Sequence, residues 1–469
     1  MRDKENIVCK DDFTKGSMLK NIVYQAVPLT VAQLVQLLYN IVDRVYIGHM
    51  KGVGTLALTG VGLTFPIISI VLAFSRLFSA GGAPLCAIAR GAGDNARASR
   101  LMGNTLVMLV ITGAILTVAG YLAMRPLLFL FGASESTFPY AFEYLQVYLA
   151  GTVFVMVGDG MNPFINAQGF PKIGMATIII GAVLNLVLDP VLIFGFRMGV
   201  RGAAIATVIS QGVSALWVLW FLRSPYAVLK LKKKDFLLSW QLLRKILGLG
   251  TSGFVMASTT GAVQIVCNTM LKLYGGDLYI GVMTILNSIR EVLLLPMSGL
   301  TAGSQPVLGY NYGAGRDDRV KKGIRVISAG GLVYTGIAWM AVLLFPGFFI
   351  RIFNNSQEML QYGIPALKIY FFAVVCMALQ VSGQTTFVSL GMSGKAVFFS
   401  LLRKVIIVIP LTLLLPRLWR LGVDGIFWAE PISNILGGGA AFITMLLTVY
   451  KKLDKAPRKD SRAALAKRG

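Results

Sequence analysis

The sequence predicts an all-α membrane protein with twelve transmembrane helices, arranged as two parallel six-helix repeats. Three observations lead to this prediction: the chain is very apolar, its apolar runs have the length of bilayer-spanning helices, and its second half repeats motifs of its first half. Hydrophobic residues make up 56% of the 469 residues, and charged residues only 14%. Because a soluble protein carries roughly 25% charged residues, this composition indicates a chain embedded in a membrane.

The apolar runs recur from about residue 21 to residue 450. Each is close to the roughly 20 residues that a helix needs to cross a bilayer, and they lack the period of two that a barrel strand requires. The predicted spans are 21–47, 56–82, 101–124, 139–166, 174–196, 202–222, 246–273, 279–305, 326–347, 363–390, 397–416 and 423–449. The first twenty residues are polar and show no cleavable signal peptide, so we expect the first span to direct insertion.

Basic residues distinguish the two sides of the membrane. Lys and Arg number five in residues 1–20, seven in 223–245 and eight in 451–469, whereas the alternate connections are nearly bare. Since cytoplasmic connections carry the excess of Lys and Arg, we predict a plasma-membrane protein with both termini in the cytoplasm. Topology then explains the net charge of +24, and no nucleic-acid partner is expected.

Two pairs of similar segments form the internal repeat. GAGDNARA begins at Gly91 and GAGRDDRV at Gly313, an offset of 222; GVRG begins at Gly199 and GVDG at Gly422, an offset of 223. Six spans in each copy preserve the orientation, so the repeats are parallel, and such pairs favour alternating-access transport. The predicted division is a cytoplasmic segment 1–20, an N-lobe 21–222, a basic cytoplasmic linker 223–245, a C-lobe 246–450 and a basic cytoplasmic tail 451–469.

Polar side chains inside three N-lobe spans are the candidate functional residues. Asp43 and Asp189 lie five and seven residues below the outer ends of their spans, which is about 8 and 10 Å at 1.5 Å per residue. Thr207 reaches a similar depth, and Tyr39 and Asn185 stand one turn from the two acids. Intramembrane carboxylates normally face a cavity and serve ion pathways. The alternatives are interfacial acids that reach towards water and, for the uncharged residues, hydrogen bonds between helices.

Three stretches carry a resemblance to a known family. They are VPLTVAQLVQLLYNIVDRVYIGHM (27–50), LNLVLDPVLIFGFRMGVRGAAIATVIS (184–210) and PVLGYNYGAGRDDRV (306–320). Together they resemble the MATE family, the multidrug and toxic compound extrusion transporters, with the overall pattern nearest to bacterial exporters of the MepA type. The resemblance covers roughly residues 18–450. One departure is Asn166, where family members often have a basic residue.

The resemblance implies a fold of two lobes around a central cleft, with a cation-coupling and substrate pocket in the N-lobe. The residues that it places in this pocket are Gln36, Tyr39, Asp43, Asn162, Asn185, Asp189 and Thr207. Pro28 lies well inside the first apolar run, where proline predicts a helix kink. Two carboxylates in a poorly solvated pocket repel each other, and a proton or Na⁺ bound at Asp43 and Asp189 would relieve that repulsion.

The C-lobe lacks the acid pair. At the repeat offset Asp43 aligns with Gln264, and Asp189 aligns with Leu411 or Thr412. Coupling is therefore predicted in the N-lobe. The sequence leaves open the roles of three other membrane acids, Asp159, Glu291 and Glu430.

The predicted function is secondary active export of cationic or amphipathic drugs and toxic compounds, by antiport with H⁺ or Na⁺. The alternatives are a flippase or exporter of one endogenous metabolite, lipid or oligosaccharide, and a membrane-embedded enzyme. An enzyme would need a cluster of His, Cys or carboxylates, yet His49 is the only histidine and the four cysteines lack metal-ligand spacing. We expect no catalytic activity, cofactor or structural metal. The expected partners of this monomer are organic cations, the coupling ion and the bilayer.

Thiol labelling tests the topology. In a chain whose four native cysteines are replaced, Lys51→Cys should react with an impermeant thiol reagent in intact cells. Lys233→Cys should react only after the membrane is permeabilised, because the excess of Lys and Arg places residues 223–245 inside. If position 233 but not position 51 is labelled in intact cells, the orientation in the membrane is the reverse of the one predicted.

Overall fold

The computed structural model of the chain describes residues 12–50, 52–418 and 421–454. Helices dominate this part of the chain, and no β-strand occurs in it. The predicted N-terminal segment up to residue 11, the predicted tail from residue 455 and Lys51 lie outside the described residues. The all-α prediction is confirmed.

Seven helices precede the basic linker. They are α1 (Met18–Gly48), α2 (Gly54–Gly91), α3 (Asn95–Leu130), α4 (Phe138–Ala150), α5 (Thr152–Ala167), α6 (Pro171–Pro190) and α7 (Gly199–Arg223). A π-helical segment, Val191–Gly195, continues α6, and a short 3-10 helix, Lys233–Phe236, lies in the linker.

The second half of the described chain contains eight more helices. They are α8 (Trp240–Gly313), α9 (Asp317–Leu344), α10 (Pro346–Arg351), α11 (Gln357–Phe371), α12 (Val374–Ser389), α13 (Ser393–Leu401), α14 (Ile409–Leu414) and α15 (Val423–Met445). Two π-helical segments, Leu402–Val408 and Leu446–Tyr450, follow α13 and α15, and a 3-10 turn, Lys452–Asp454, ends the described part.

These helices account for the twelve predicted spans. Nine helical stretches of the described chain are long and apolar enough to cross a membrane, and two bent pairs, α4 with α5 and α11 with α12, pass the same test when each pair is taken as one broken span. The pairs bend by 59° and 41°. The 74-residue α8 is interrupted at Gly276, whose φ of 72° and ψ of −168° are not helical, so it supplies two spans. The result is six spans in each half.

The described chain forms two compact units, and the first contains Val27–Gly250. Its core lies among α2, α3, α5 and α7 and includes Cys86, Met102, Leu109, Phe164 and Val218. A Cβ at Gly81 would lie 2.0 Å from the carbonyl oxygen of Ile246. This bare glycine therefore lets α2 pack backbone to backbone against the start of α8.

The linker 223–245 is a packed part of the first unit. Leu229 and Leu231 are buried in its core. The Asn104 side chain on α3 donates to the carbonyl oxygens of Asp235 (3.2 Å) and Leu237 (3.0 Å) and accepts from the Ser239 backbone N–H (2.8 Å). One amide thus satisfies three backbone groups, which fixes the path of the linker across the end of α3.

The second unit contains Phe13–Ala26 and the described residues from Thr251 onward. The boundary between the units falls inside α1, one residue before Pro28, so residues 21–26 do not group with the predicted N-lobe. Phe13 and Ile22 are fully buried in the core of the second unit. A Cβ at Gly303 would lie 2.5 Å from the Ala26 nitrogen, so the start of α1 approaches α8 closely.

Asn104→Ala tests how the linker is held. The substitution leaves three backbone groups without their side-chain partner, and each buried unsatisfied group costs about 1–3 kcal/mol. We expect a clear fall in unfolding temperature in detergent and faster proteolysis within 223–245. Thr269→Ala is the matched control, because its exposed hydroxyl bonds only to its own helix at Ile265. Equal behaviour of the two variants would show that Asn104 does not hold the linker.

Candidate functional site

The described first unit brings polar groups from three helices together. Asp43 comes from α1, Asn185 and Asp189 from α6, and Thr207 from α7. The Asn185 amide donates to Asp189 Oδ1 at 3.3 Å and approaches Thr207 Oγ1 at 3.5 Å. Four of the residues selected from the sequence therefore occupy one site. Their role in transport stays a prediction.

The local backbone explains how α6 presents Asp189. Pro190 ends the regular helix, because proline has no N–H to donate to the carbonyl one turn back. The next five residues form the π-helical segment, a distortion often found at functional sites. A Cβ at Gly202 would lie 2.8 Å from the Leu192 carbonyl carbon, so α7 packs directly on the distorted turn. This contact holds Thr207 near Asn185.

The carboxyl groups of Asp43 and Asp189 lie within hydrogen-bonding reach of each other. Asp189 is 1% exposed. Asp43 Oδ1 and Asp189 Oδ2 are buried and receive no hydrogen bond from a conventional donor among the described residues. A carboxylate can only accept, so a hydrogen bond between the two acids requires a proton on one of them. The pair is therefore the candidate site for a proton or another small cation, and the binding of either ion stays a prediction.

Tyr39 and Tyr144 lie near the pair, and Tyr148 stacks on Tyr144. Tyr39 lies one turn before Asp43, and its hydroxyl is within hydrogen-bonding reach of Gln36, which is exposed. Tyr144 and Tyr148 on α4 are buried, with ring centroids 6.3 Å apart. The Tyr144 hydroxyl is within reach of Thr207.

Tyr144 and Tyr148 were missed by the sequence reasoning. Their one signal in the sequence is the spacing of two tyrosines by four residues on an apolar span. The same spacing is common in ordinary helix packing.

Asn162 occupies a different place in the first unit. Its amide donates to the Gly174 carbonyl oxygen at 3.1 Å, which ties α5 to the start of α6. Asn166 is buried beside the same glycine, since a Cβ at Gly174 would lie 2.2 Å from its Oδ1. Asp159 accepts a hydrogen bond of 2.7 Å from Ser75. Membership of Asn162 in the pocket remains a prediction.

The second unit has amides and a charge cluster instead of an acid pair. Gln264, the repeat counterpart of Asp43, accepts from Asn287 at 3.0 Å and donates to Asn268 at 2.9 Å. Glu430 is buried and paired with three cations, whereas Glu291 is exposed. Those cations are Arg290, Arg403 and Lys404. The sequence signal that could have indicated this cluster is the adjacent pair Arg403 and Lys404 within the apolar span 397–416.

The arrangement of possible metal ligands bears on whether the chain holds a metal ion. In the described ranges, no group of three or more His, Cys, Asp or Glu side chains is arranged to hold a metal ion. The oxygen atoms of Asp43, Asp189, Asn185 and Thr207 nevertheless form the kind of donor set that hard cations prefer.

A family model and several relatives match the chain. The MatE model matches residues 28–191 and 253–414. The protein named multidrug export protein MepA from Staphylococcus saprophyticus is 26% identical over 448 residues, which are 95% of this chain and 97% of that protein. The protein of the same name from Staphylococcus haemolyticus is 24% identical over 442 residues, 93% of this chain and 94% of that protein.

Solved structures share the fold. A multidrug resistance MATE family transporter of the MOP superfamily, in its outward-facing conformation, superposes with a TM-score of 0.88 at 22% identity, covering 96% of this chain and all of that one. A MOP superfamily transporter from Pyrococcus furiosus gives 0.88 at 22% identity, with 95% and 98% covered.

Asp43→Asn and Asp189→Asn test whether the pair serves the fold. An amide is cheaper to bury than a carboxylate, so each variant should insert normally and unfold at or above the wild-type temperature in detergent at neutral pH. Asn162→Ala is the comparison, because it removes the hydrogen bond between α5 and α6 and should lower that temperature. A marked loss of stability in both Asp→Asn variants would instead assign the acids a structural role.

Proposed function

The chain belongs to the MatE family, and we propose that it is a secondary transporter exporting cationic or amphipathic drugs by antiport with H⁺ or Na⁺. The proposal places it in the cell membrane as a monomer, with both termini in the cytoplasm. It follows the relatives, which are named as multidrug export proteins. The single observation that carries it is the buried contact between Asp43 and Asp189.

The acid pair supplies the coupling step. When both groups are ionised, two like charges face each other in a poorly solvated site, and that state is unfavourable. A proton between them, or Na⁺ held by their oxygens together with Asn185 and Thr207, removes most of the repulsion. The occupied and empty sites therefore differ strongly in electrostatic energy, as a coupling device requires.

Coupling also needs a conformational change that the ion biases. Asp43 lies on α1, the helix that contains Pro28 and the boundary between the two units. A proline inside a helix weakens its hydrogen-bond ladder and gives it a place to bend. Ion binding at Asp43 thus favours one shape of α1 over the other. Substrate export follows if drug and ion prefer opposite conformations, since a ligand shifts an equilibrium only by its difference in affinity.

The tyrosines suit a cationic cargo. Tyr39 and Tyr144 place aromatic rings near the acid pair, and ring faces attract cations. A cationic drug and the coupling ion would then compete for the same negative charge. This competition gives antiport a direct electrostatic basis. Export of one endogenous metabolite, lipid or oligosaccharide would use the same coupling pair, and a substrate panel separates the two readings.

Transport in proteoliposomes tests the coupling role. Asp43→Asn removes the charge that binds the ion, so efflux of a cationic dye driven by an imposed H⁺ or Na⁺ gradient should fall to the background rate. Glu143→Gln also removes a carboxylate from the first unit, but from an exposed position on α4, and it should transport as the wild type does. Comparing the two gradients identifies the ion. Undiminished gradient-driven efflux by Asp43→Asn would refute the assignment.

A further inference from the structure

The second unit contains a buried cluster of one acid and three bases. Glu430 Oε1 accepts from Arg403 Nη2 at 3.0 Å, from Lys404 Nζ at 3.2 Å and from Arg290 Nη1 at 3.2 Å. Its other oxygen accepts only from Lys404, at 3.4 Å, among the described residues. One carboxylate on α15 therefore serves three cations, one from α8 and two from the π-helical segment Leu402–Val408.

The cluster has an excess of positive charge that the described part of the chain does not balance. Glu430 is 6% exposed, Arg403 4% and Lys404 7%, so the surroundings screen these three groups poorly, whereas the Arg290 side chain is 22% exposed. Asn434 accepts from Arg403 Nη1 at 2.6 Å, but an amide brings no negative charge. Uncompensated charge is costly in an apolar interior, and buried charges are normally paired. With all three bases charged, the arrangement calls for a further anion.

The hydrogen bonding points the same way. Arg403 Nε is buried and finds no acceptor within the described residues. A buried donor without a partner is rare in folded proteins, and each one calls for an explanation. The guanidinium group is held in place by Glu430 and Asn434, so it cannot turn this donor towards another acceptor. A bound water or anion is the expected partner at this point, which is separate from the cavity described next because Arg403 does not line that cavity.

A small cavity lies against the cluster, wholly within the second unit. Its volume is about 30 Å³, enough for one water or an ion only slightly larger. Lys404, Arg290 and Glu430 line it together with Asn287 and Tyr370. Tyr370 donates to Asn287 Oδ1 at 3.1 Å, and the Arg290 guanidinium carbon lies 5.7 Å from the Tyr370 ring centre. The cavity therefore has polar groups on the side of the two cations and apolar side chains over most of the rest of its lining.

We propose that this cavity binds one small monovalent anionic group between Lys404 and Arg290. The occupant is a free halide of chloride size or the carboxylate of a zwitterionic substrate, which presents the same charge to the same donors. Binding of a substrate carboxylate rests on the proposed function and extends it, because the exported compounds would then include molecules with both a carboxylate and a cationic group.

Thermal unfolding in detergent tests the site directly. Chloride is exchanged for isethionate, a larger anion without a carboxylate, at constant Na⁺ and ionic strength, and chloride should raise the unfolding temperature of the wild-type protein with a saturable dependence. Lys404→Met should raise the chloride concentration that gives half of this effect at least about tenfold, since it removes a charged donor. Glu430→Gln should lower it, because the carboxylate that competes with the halide is gone.

The control for this titration is Arg316→Gln. It removes a cation from an exposed ion pair with Asp318, of which the two side chains are 51% and 55% exposed, so the chloride response should be unchanged. A purely structural ion-pair cluster predicts variants of altered stability with no chloride dependence in any of them.

A pair of dyes identifies the source of the anion. A cationic rhodamine methyl ester and the same rhodamine with a free carboxylate differ only at the acid, and their binding is measured by fluorescence polarisation. If chloride and Lys404→Met weaken binding of the free-acid dye alone, the site takes the carboxylate of a substrate. If chloride stabilises the protein while Lys404→Met leaves both dyes unaffected, the occupant is free halide.

The dye measurement relies on the proposed function, and the unfolding measurement does not. If the methyl ester dye is not exported in liposomes, drug export is rejected. The chloride dependence of the unfolding temperature is then still valid evidence for the anion site. The anion site is overturned if the wild-type protein shows neither a chloride-dependent unfolding temperature nor a chloride effect on free-acid dye binding. This outcome is decisive even if Lys404→Met does not fold.

Discussion

The cost of holding two carboxyl groups together inside an apolar helical unit governs the first half of this protein. Asp43 and Asp189 would repel each other if both were ionised, and no cation from the described chain is paired with either. The surrounding structure does not neutralise them but offers polar neighbours that could accept or share a small cation. A π-helical turn directly follows Asp189, so charge and backbone distortion occur together on α6. On α1 they are separate, because Pro28 lies fifteen residues before Asp43, about 22 Å along the helix.

The second unit has the same helical plan but the opposite electrostatic character. Gln264 stands at the repeat position of Asp43 and hydrogen-bonds to two other side-chain amides. The buried cluster around Glu430 carries an excess of positive charge. A structural ion-pair cluster would be most favourable with balanced charges. The excess of positive charge beside a small cavity is the reason we propose an anion site here rather than a simple tie between helices.

The sequence predicted the spans and the acid pair because both depend on local properties. Apolar length defines a span, and counting residues from a span end gives the depth of Asp43 and Asp189. The boundary inside α1 and the packed linker depend on contacts between segments far apart in the chain, such as Asn104 with Asp235. The cluster around Glu430 combines partners 26 and 140 residues away. Hydropathy is a property of a local stretch of sequence, so it does not predict contacts between distant segments.

Infrared difference spectroscopy on the purified transporter tests the central claim, that Asp43 and Asp189 share a proton which a cation or high pH removes. The account predicts a carbonyl stretching band of a protonated carboxylic acid at acidic pH, lost on alkaline titration. It also predicts that the band is lost or shifted in both Asp43→Asn and Asp189→Asn, because each variant breaks the pair. A band that is absent at every pH, or one that persists unchanged in both variants, would contradict it.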